Sequence, residues 1–109
     1  MSQLDIFAEA EARKQQGMAV ADASQPLAWK NNVDHVITLL ARTGRPFTSD
    51  DVSAITGDSP TGSRGAMGAR FSHAAKHGVI RRCGYTPSRR AAVHMHPVSL
   101  WVGAQVVAA

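Results

Sequence analysis

The sequence predicts a mainly α domain closed by a small β-hairpin, and three observations carry that expectation. Apolar residues recur at helical spacing in three successive segments. Each of those segments ends at a glycine. After the last glycine the pattern changes to two extended runs around a polar connection. The 109 residues allow one such domain with a modest core and short tails.

The N-terminal segment Ala8–Gln16 is rich in Ala, Glu, Lys and Arg and favours a helix. Gly17 is expected to interrupt it, with a short resumption over Met18–Ala23. Pro26 suits the first turn of a new helix, with Ser24 or Gln25 near the cap. From there Trp29, Val33, Val36, Ile37 and Leu40 form a core-facing stripe, which Gly44, Arg45 and Pro46 end. A second, short helix is expected over Ser49–Thr56. Thr48 is its cap, Asp50 and Asp51 complement its positive end, and Phe47 and Val52 are placed to close a hydrophobic staple. Gly57 stops it, and Asp58–Ser63 (DSPTGS) is turn chemistry.

A third helix is expected from about Arg64 to His77, with Met67, Phe71, Ala74 and Ala75 on one face and Gly65, Ala69, Ser72, His73 and Lys76 on the other. Gly78 reads as its C-terminal stop. Val79–Tyr85 and Val98–Val102 read as strands flanking the polar stretch Thr86–Pro97. Each helix alone is marginal, so the core must join the Trp29/Val33/Ile37, Val52/Ile55 and Met67/Phe71 faces, with Trp101 packing onto them. Helix, capped short helix, turn, helix and hairpin is the order of a winged helix-turn-helix. The chain thus divides into an N-terminal tail or helix (1–25), a winged-helix domain (26–103) and a C-terminal tail (104–109).

Charge distribution points to a partner. Residues 1–54 carry five Lys/Arg against seven Asp/Glu, a net −2, whereas residues 55–109 carry seven against one, a net +6. Such asymmetry suits a polyanion, and the fold order suits double-stranded DNA. Gly65, Ala66, Gly68 and Ala69 would let the third helix bring its backbone close to base edges; close packing against the second helix would need small residues equally. Arg64 and Arg70 are candidates for guanine or phosphate, and Ser72, His73 and Lys76 for phosphate. Arg81, Arg82, Arg89 and Arg90 flank the hairpin and suit phosphate or minor-groove contacts. For each arginine taken singly, a solvated side chain is the competing reading.

The motifs F-T-S-D-D-V at Phe47–Val52, G-A-M-G-A-R-F at Gly65–Phe71 and A-A-K-H-G-V-I at Ala74–Ile80 continue into G-Y-T-P-S-R-R and V-S-L-W between Gly84 and Trp101. Over Trp29–Trp101 this pattern resembles a group of small phage-encoded winged-helix proteins. The resemblance implies a phage or prophage origin and DNA-directed work.

A second resemblance lies at the N-terminus. Gln3-Leu4-Asp5-Ile6-Phe7 looks like the Q-L-[S/D]-L-F pentapeptide by which bacterial replication and repair proteins dock on the DNA polymerase sliding clamp. Gln3 would supply amide hydrogen bonds at the pocket mouth, and Leu4, Ile6 and Phe7 would fill apolar subsites. Ile6 for Leu conserves volume. In the competing reading, Leu4, Phe7 and Ala8 begin an amphipathic helix that packs on the domain.

Other chemistry is not expected. His73 and His77, with Cys83, His94 and His96 downstream, lack a C-x-x-C or an adjacent carboxylate, so neither a metal site nor a cysteine nucleophile is expected. Neither a phosphate-binding glycine loop nor a carboxylate pair occurs in the basic half, so no cofactor and no enzymatic activity are expected. Cys83 is the only cysteine and no apolar run approaches the ~20 residues of a membrane span, which suits a cytoplasmic protein of a bacterial host without a membrane partner. The leading expectation is a DNA-binding accessory factor of replication or recombination that also binds the clamp. The alternatives are a clamp inhibitor that occupies the pocket, and a transcriptional regulator or excisionase-like factor without clamp binding.

Overall fold

The computed structural model describes residues 12–14, 16–17, 20–62, 65–88 and 97–104. Within them run α1 (Leu27–Arg42), α2 (Ser49–Thr56), α3 (Ala66–Lys76), β1 (Ile80–Pro87) and β2 (Pro97–Gly103). Further helical residues lie at 12–14, 16–17 and 20–23. The chain is therefore mainly helical with a small antiparallel hairpin. Gly17 is itself helical, and residues 18–19, which would show whether the helix breaks after it, lie outside the described set.

α1 buries Trp29, Val33, Val36 and Ile37, the stripe expected from their spacing. Its start differs from expectation. Pro26 occupies the N-cap position with extended backbone, and no side chain caps the helix. The Ser24 hydroxyl instead donates to the Ala21 carbonyl at 2.8 Å, and Gln25 serves a different contact described below. α2 starts as predicted, with a reciprocal capping box. The Asp51 backbone N–H donates to Thr48 Oγ1, and the Thr48 N–H donates to the Asp51 carboxylate at 2.8 Å. Phe47 and Val52, on either side of that cap, are both buried. Ile55 corrects the expected core: it is 63% exposed, because this two-turn helix turns only Val52 inward and leaves its last turn outside.

α3 begins at Ala66, and residues 63–64 lie outside the described set. It buries Ala66, Arg70, Phe71 and Ala74. Its C-terminus is a Schellman closure: Val79 N–H donates to the Ala74 carbonyl at 2.9 Å and Gly78 N–H to Ala75 at 3.1 Å. Gly78 takes the positive φ of 74° that this closure needs and that a side chain would resist.

β1 and β2 pair antiparallel from Ile80↔Gly103 to Pro87↔Pro97, with one irregularity between Arg82 and Gly84. β1 starts one residue after the expected Val79, and the strands extend past Tyr85 and before Val98, taking in Thr86, Pro87 and Pro97 from the expected connection. On the other edge of β2, Phe47 forms an isolated bridge with Trp101 through two reciprocal hydrogen bonds of 2.8 Å. β2 therefore lies between β1 and the α1–α2 connection. The bridge also sets an aromatic row: Phe47 and Phe71 have ring centroids 6.0 Å apart, and Phe71 and Trp101 5.7 Å apart. Trp101 thus joins the hairpin to α3. At the base of the hairpin Gly103 lies against α1, where a Cβ would come within 3.1 Å of the Ala41 carbonyl carbon and closer still to its oxygen. Among the described residues no helix is long and apolar enough to cross a membrane.

Candidate nucleic-acid interface

The inward face of α3 is fixed by Phe71 and Ala74, so its helical period turns Gly68, Ala69, Ser72 and Lys76 outward. Gly68 and Lys76 are exposed, and Ala69 and Ser72 are half-buried. The small residues leave the helix backbone accessible along this face, with Lys76 as the cation at its C-terminal end. His73 and His77 flank it, both exposed, with ring centroids 4.3 Å apart. No group of three or more potential metal ligands occurs among the described residues.

The turn that presents α3 is held by a residue that sequence reasoning assigned to a helix cap. Gln25 is only 6% exposed. Its Oε1 accepts from the Ser59 hydroxyl at 2.8 Å, and its Nε2 donates to Thr61 Oγ1 and, at 3.2 Å, to the Ala21 carbonyl. One buried amide thereby ties the α2–α3 turn to the segment preceding α1, satisfying polar groups that burial would otherwise leave unpaired. Gln25 and Ser59 lie 34 residues apart, so nothing in the local pattern announced the contact.

Arg70 corrects the expected DNA-contact set. Its position on the buried face of α3 leaves it 7% exposed. Its guanidinium is occupied by Asp34 of α1 and by Asp22, with N–O distances of 2.6 and 3.0 Å in the two ion pairs. The Asp34 hydrogen bond, which outweighs the cost of burial, together with Asp22 raises the Arg70 pKa above the ordinary arginine range. Arg70 is therefore a structural cation that binds α3 to α1, and it is not available to a phosphate.

Arg81 and Arg82 are exposed, as a phosphate contact requires. Register places them on opposite faces of the hairpin, Arg81 opposite Val102 and Arg82 opposite Trp101. The Arg82 guanidinium lies over two rings, 5.0 Å from the Trp101 centroid and 5.7 Å from that of Tyr85. At the end of β1 the buried Ser88 hydroxyl donates to Asp50 at 3.0 Å, which fastens the hairpin to the start of α2.

The carboxylates of this region have internal partners: Asp22 and Asp34 meet Arg70, Asp51 completes the cap, and Asp50 meets Ser88. Lys76, Arg81 and Arg82 have no ion pair among the described residues. The structure thus brings together Ser72, His73 and Lys76 on α3 and sets Arg81 and Arg82 on the adjoining hairpin. Arg64, Arg89 and Arg90 lie outside the described residues, as do Gln3, Leu4, Asp5, Ile6 and Phe7. Comparison of the chain with protein families, curated proteins and solved structures finds no match.

Proposed function

We propose that this chain is a winged helix-turn-helix protein of phage or prophage origin that binds double-stranded DNA without catalysing a reaction. The order of three helices and a hairpin supports the fold, together with the Phe47–Trp101 bridge on the outer edge of β2. One observation carries the functional reading. The carboxylates around α3 are turned into internal partners, while Lys76 of α3 and Arg81 and Arg82 of the hairpin stay exposed beside an accessible helix backbone. A polyanion meets donors there without displacing an existing pair, and a small-residue helix face fits a major groove.

The test is binding of a labelled duplex of arbitrary sequence by fluorescence anisotropy. With about five phosphate contacts, affinity falls roughly 10²- to 10³-fold between 50 and 200 mM salt. Affinity that ignores salt, or no binding at 50 mM, overturns the proposal.

The pentapeptide Gln3–Phe7 supports a second partner, the bacterial DNA sliding clamp, making the chain an accessory factor of replication or recombination. A pull-down with purified clamp tests this, comparing the wild type with a Gln3→Ala/Leu4→Ala/Phe7→Ala variant, with and without DNA. Clamp capture that depends on these residues and tolerates DNA supports an accessory factor. Capture without any DNA affinity favours an inhibitor that fills the pocket. No capture, with a discrete footprint on DNA, favours a transcriptional or excisionase-like factor.

A further inference from the structure

Tyr85 is an aromatic residue that the core does not use. It is 65% exposed on a strand that otherwise shows solvent two arginines, a cysteine and a proline. In a regular strand, residues three apart point to opposite faces, which would separate Tyr85 from Arg82. The hairpin departs from that rule between them. Arg82 pairs with Trp101 and Gly84 with the next residue, Leu100, so Cys83 is the extra residue of a bulge. Tyr85 then pairs with Ser99, two residues from Trp101, and falls on the same face as Trp101 and Arg82.

This placement aligns three groups. Trp101 is anchored against Phe71 of α3, and the Arg82 guanidinium lies over both the Trp101 ring and the exposed Tyr85 ring. The Arg82 side chain makes no hydrogen bond or ion pair among the described residues, and the two rings are what it packs against. Donors alone hold a phosphate, the tyrosine hydroxyl among them, and an exposed aromatic face adds little to that task. A nucleobase uses both groups, stacking on the open face of the exposed tyrosine ring with the guanidinium beside it as a donor. Along a duplex the base faces are covered by stacking, so away from a terminal pair this contact needs an unpaired base.

We infer that Tyr85 and Arg82 form a stacking platform for an unpaired base, so that the chain prefers a duplex bearing a single-stranded extension to a blunt one. This rests on the duplex-binding reading above, with the anchor of Trp101 on α3 placing the platform beside the helix that faces the duplex.

The experiment measures anisotropy of one duplex, blunt or with a short 5′ or 3′ extension, and of the extension strand alone. The full-length chain, Tyr85→Ala and Tyr85→Phe are compared, with circular dichroism and tryptophan fluorescence confirming the fold of each. The wild type binds the better extended duplex roughly five- to a hundredfold more tightly than the blunt one, the range one base–aromatic stack contributes. Tyr85→Ala removes that preference and leaves blunt-duplex affinity unchanged, while Tyr85→Phe retains it. Equal affinity for blunt and extended probes overturns this inference alone, as does a preference that survives Tyr85→Ala. Equal losses in Tyr85→Phe and Tyr85→Ala assign the contact to the hydroxyl and overturn stacking. Binding of extended or single-stranded probes without the blunt duplex supports the platform and overturns duplex binding. No binding to any probe overturns both.

Discussion

The Arg70 guanidinium grips the Asp34 carboxylate side-on, Nε donating to Oδ1 at 2.8 Å and Nη2 to Oδ2 at 2.6 Å. Its remaining nitrogen, Nη1, donates to both oxygens of Asp22 at 3.1 and 3.0 Å. One planar side chain thus joins α3 to α1 and to the helical residues 20–23. Removing it leaves two carboxylates facing each other around a buried space. Arg70→Met is expected to destabilise the fold by about 2–4 kcal/mol. That is below the cost of breaking a fully buried pair, since Asp34 keeps 36% of its side-chain exposure. Arg70→Lys recovers only part, because an ammonium cannot reproduce the two-pronged contact. Chemical denaturation measures both, and a loss under 1 kcal/mol for the methionine variant would contradict the structural role.

The same pairs fix the sign of a pH prediction. With its pKa raised in the folded state, Arg70 contributes stability that is fully present below the unfolded value and fades only as pH climbs through the folded one. Between pH 7 and 9 the stability difference between wild type and Arg70→Met is therefore expected to stay constant. A difference that shrinks across that window in parallel denaturation curves would show that another titrating group controls the pair.

Where these contacts lie in the sequence explains what could be read from it. The capping box at Thr48 and Asp51 and the stop at Gly78 are local chemistry, complete within a few residues, and the short helix over about Ser49–Thr56 is legible in the sequence. Arg70 and Asp22 are 48 residues apart, so a helical arginine looked like a cation for DNA until its partners were in place. The bulge at Cys83 has the same effect on Tyr85, because a one-residue change of phase decides which face it occupies and leaves no mark in composition. Ile55 follows Val52 at helical spacing, yet a helix of two turns offers the core only one of them.

The base of the hairpin supplies a third prediction. At Gly103 the obstacle to a side chain is the α1 backbone at Ala41, which cannot swing aside as a flexible side chain can. Gly103→Ala is expected to cost about 1–3 kcal/mol, the range for forced overpacking. Gly84→Ala in the facing strand is the control, since a Cβ there meets nothing within 4 Å, and its effect should stay within about 0.5 kcal/mol. Equal midpoints for the two variants in thermal unfolding would refute the close approach.

The α2 cap gives a fourth. Thr48→Ala removes the acceptor for the Asp51 N–H and is expected to cost about 1 kcal/mol, while Thr48→Ser keeps the hydroxyl and most of the stability. Thr48 is buried, so the lost methyl adds a small packing cost to both variants, and the difference between alanine and serine isolates the cap.

Charge counting separates the structural arginine from the cations proposed to meet DNA. Each phosphate contact contributes close to one unit to the slope of log affinity against log salt. Lys76→Ala and Arg81→Ala, both at exposed positions without an ion pair among the described residues, are each expected to weaken binding and to flatten that slope by about 1. Arg70→Met also removes a formal charge, but from a site enclosed by Asp22 and Asp34. Measured at low temperature where the variant stays folded, it should leave the slope where the wild type has it. Anisotropy titrations at four or five salt concentrations distinguish the cases. A slope that flattens equally for Arg70→Met and Lys76→Ala would mean that overall net charge, rather than this exposed set, governs binding.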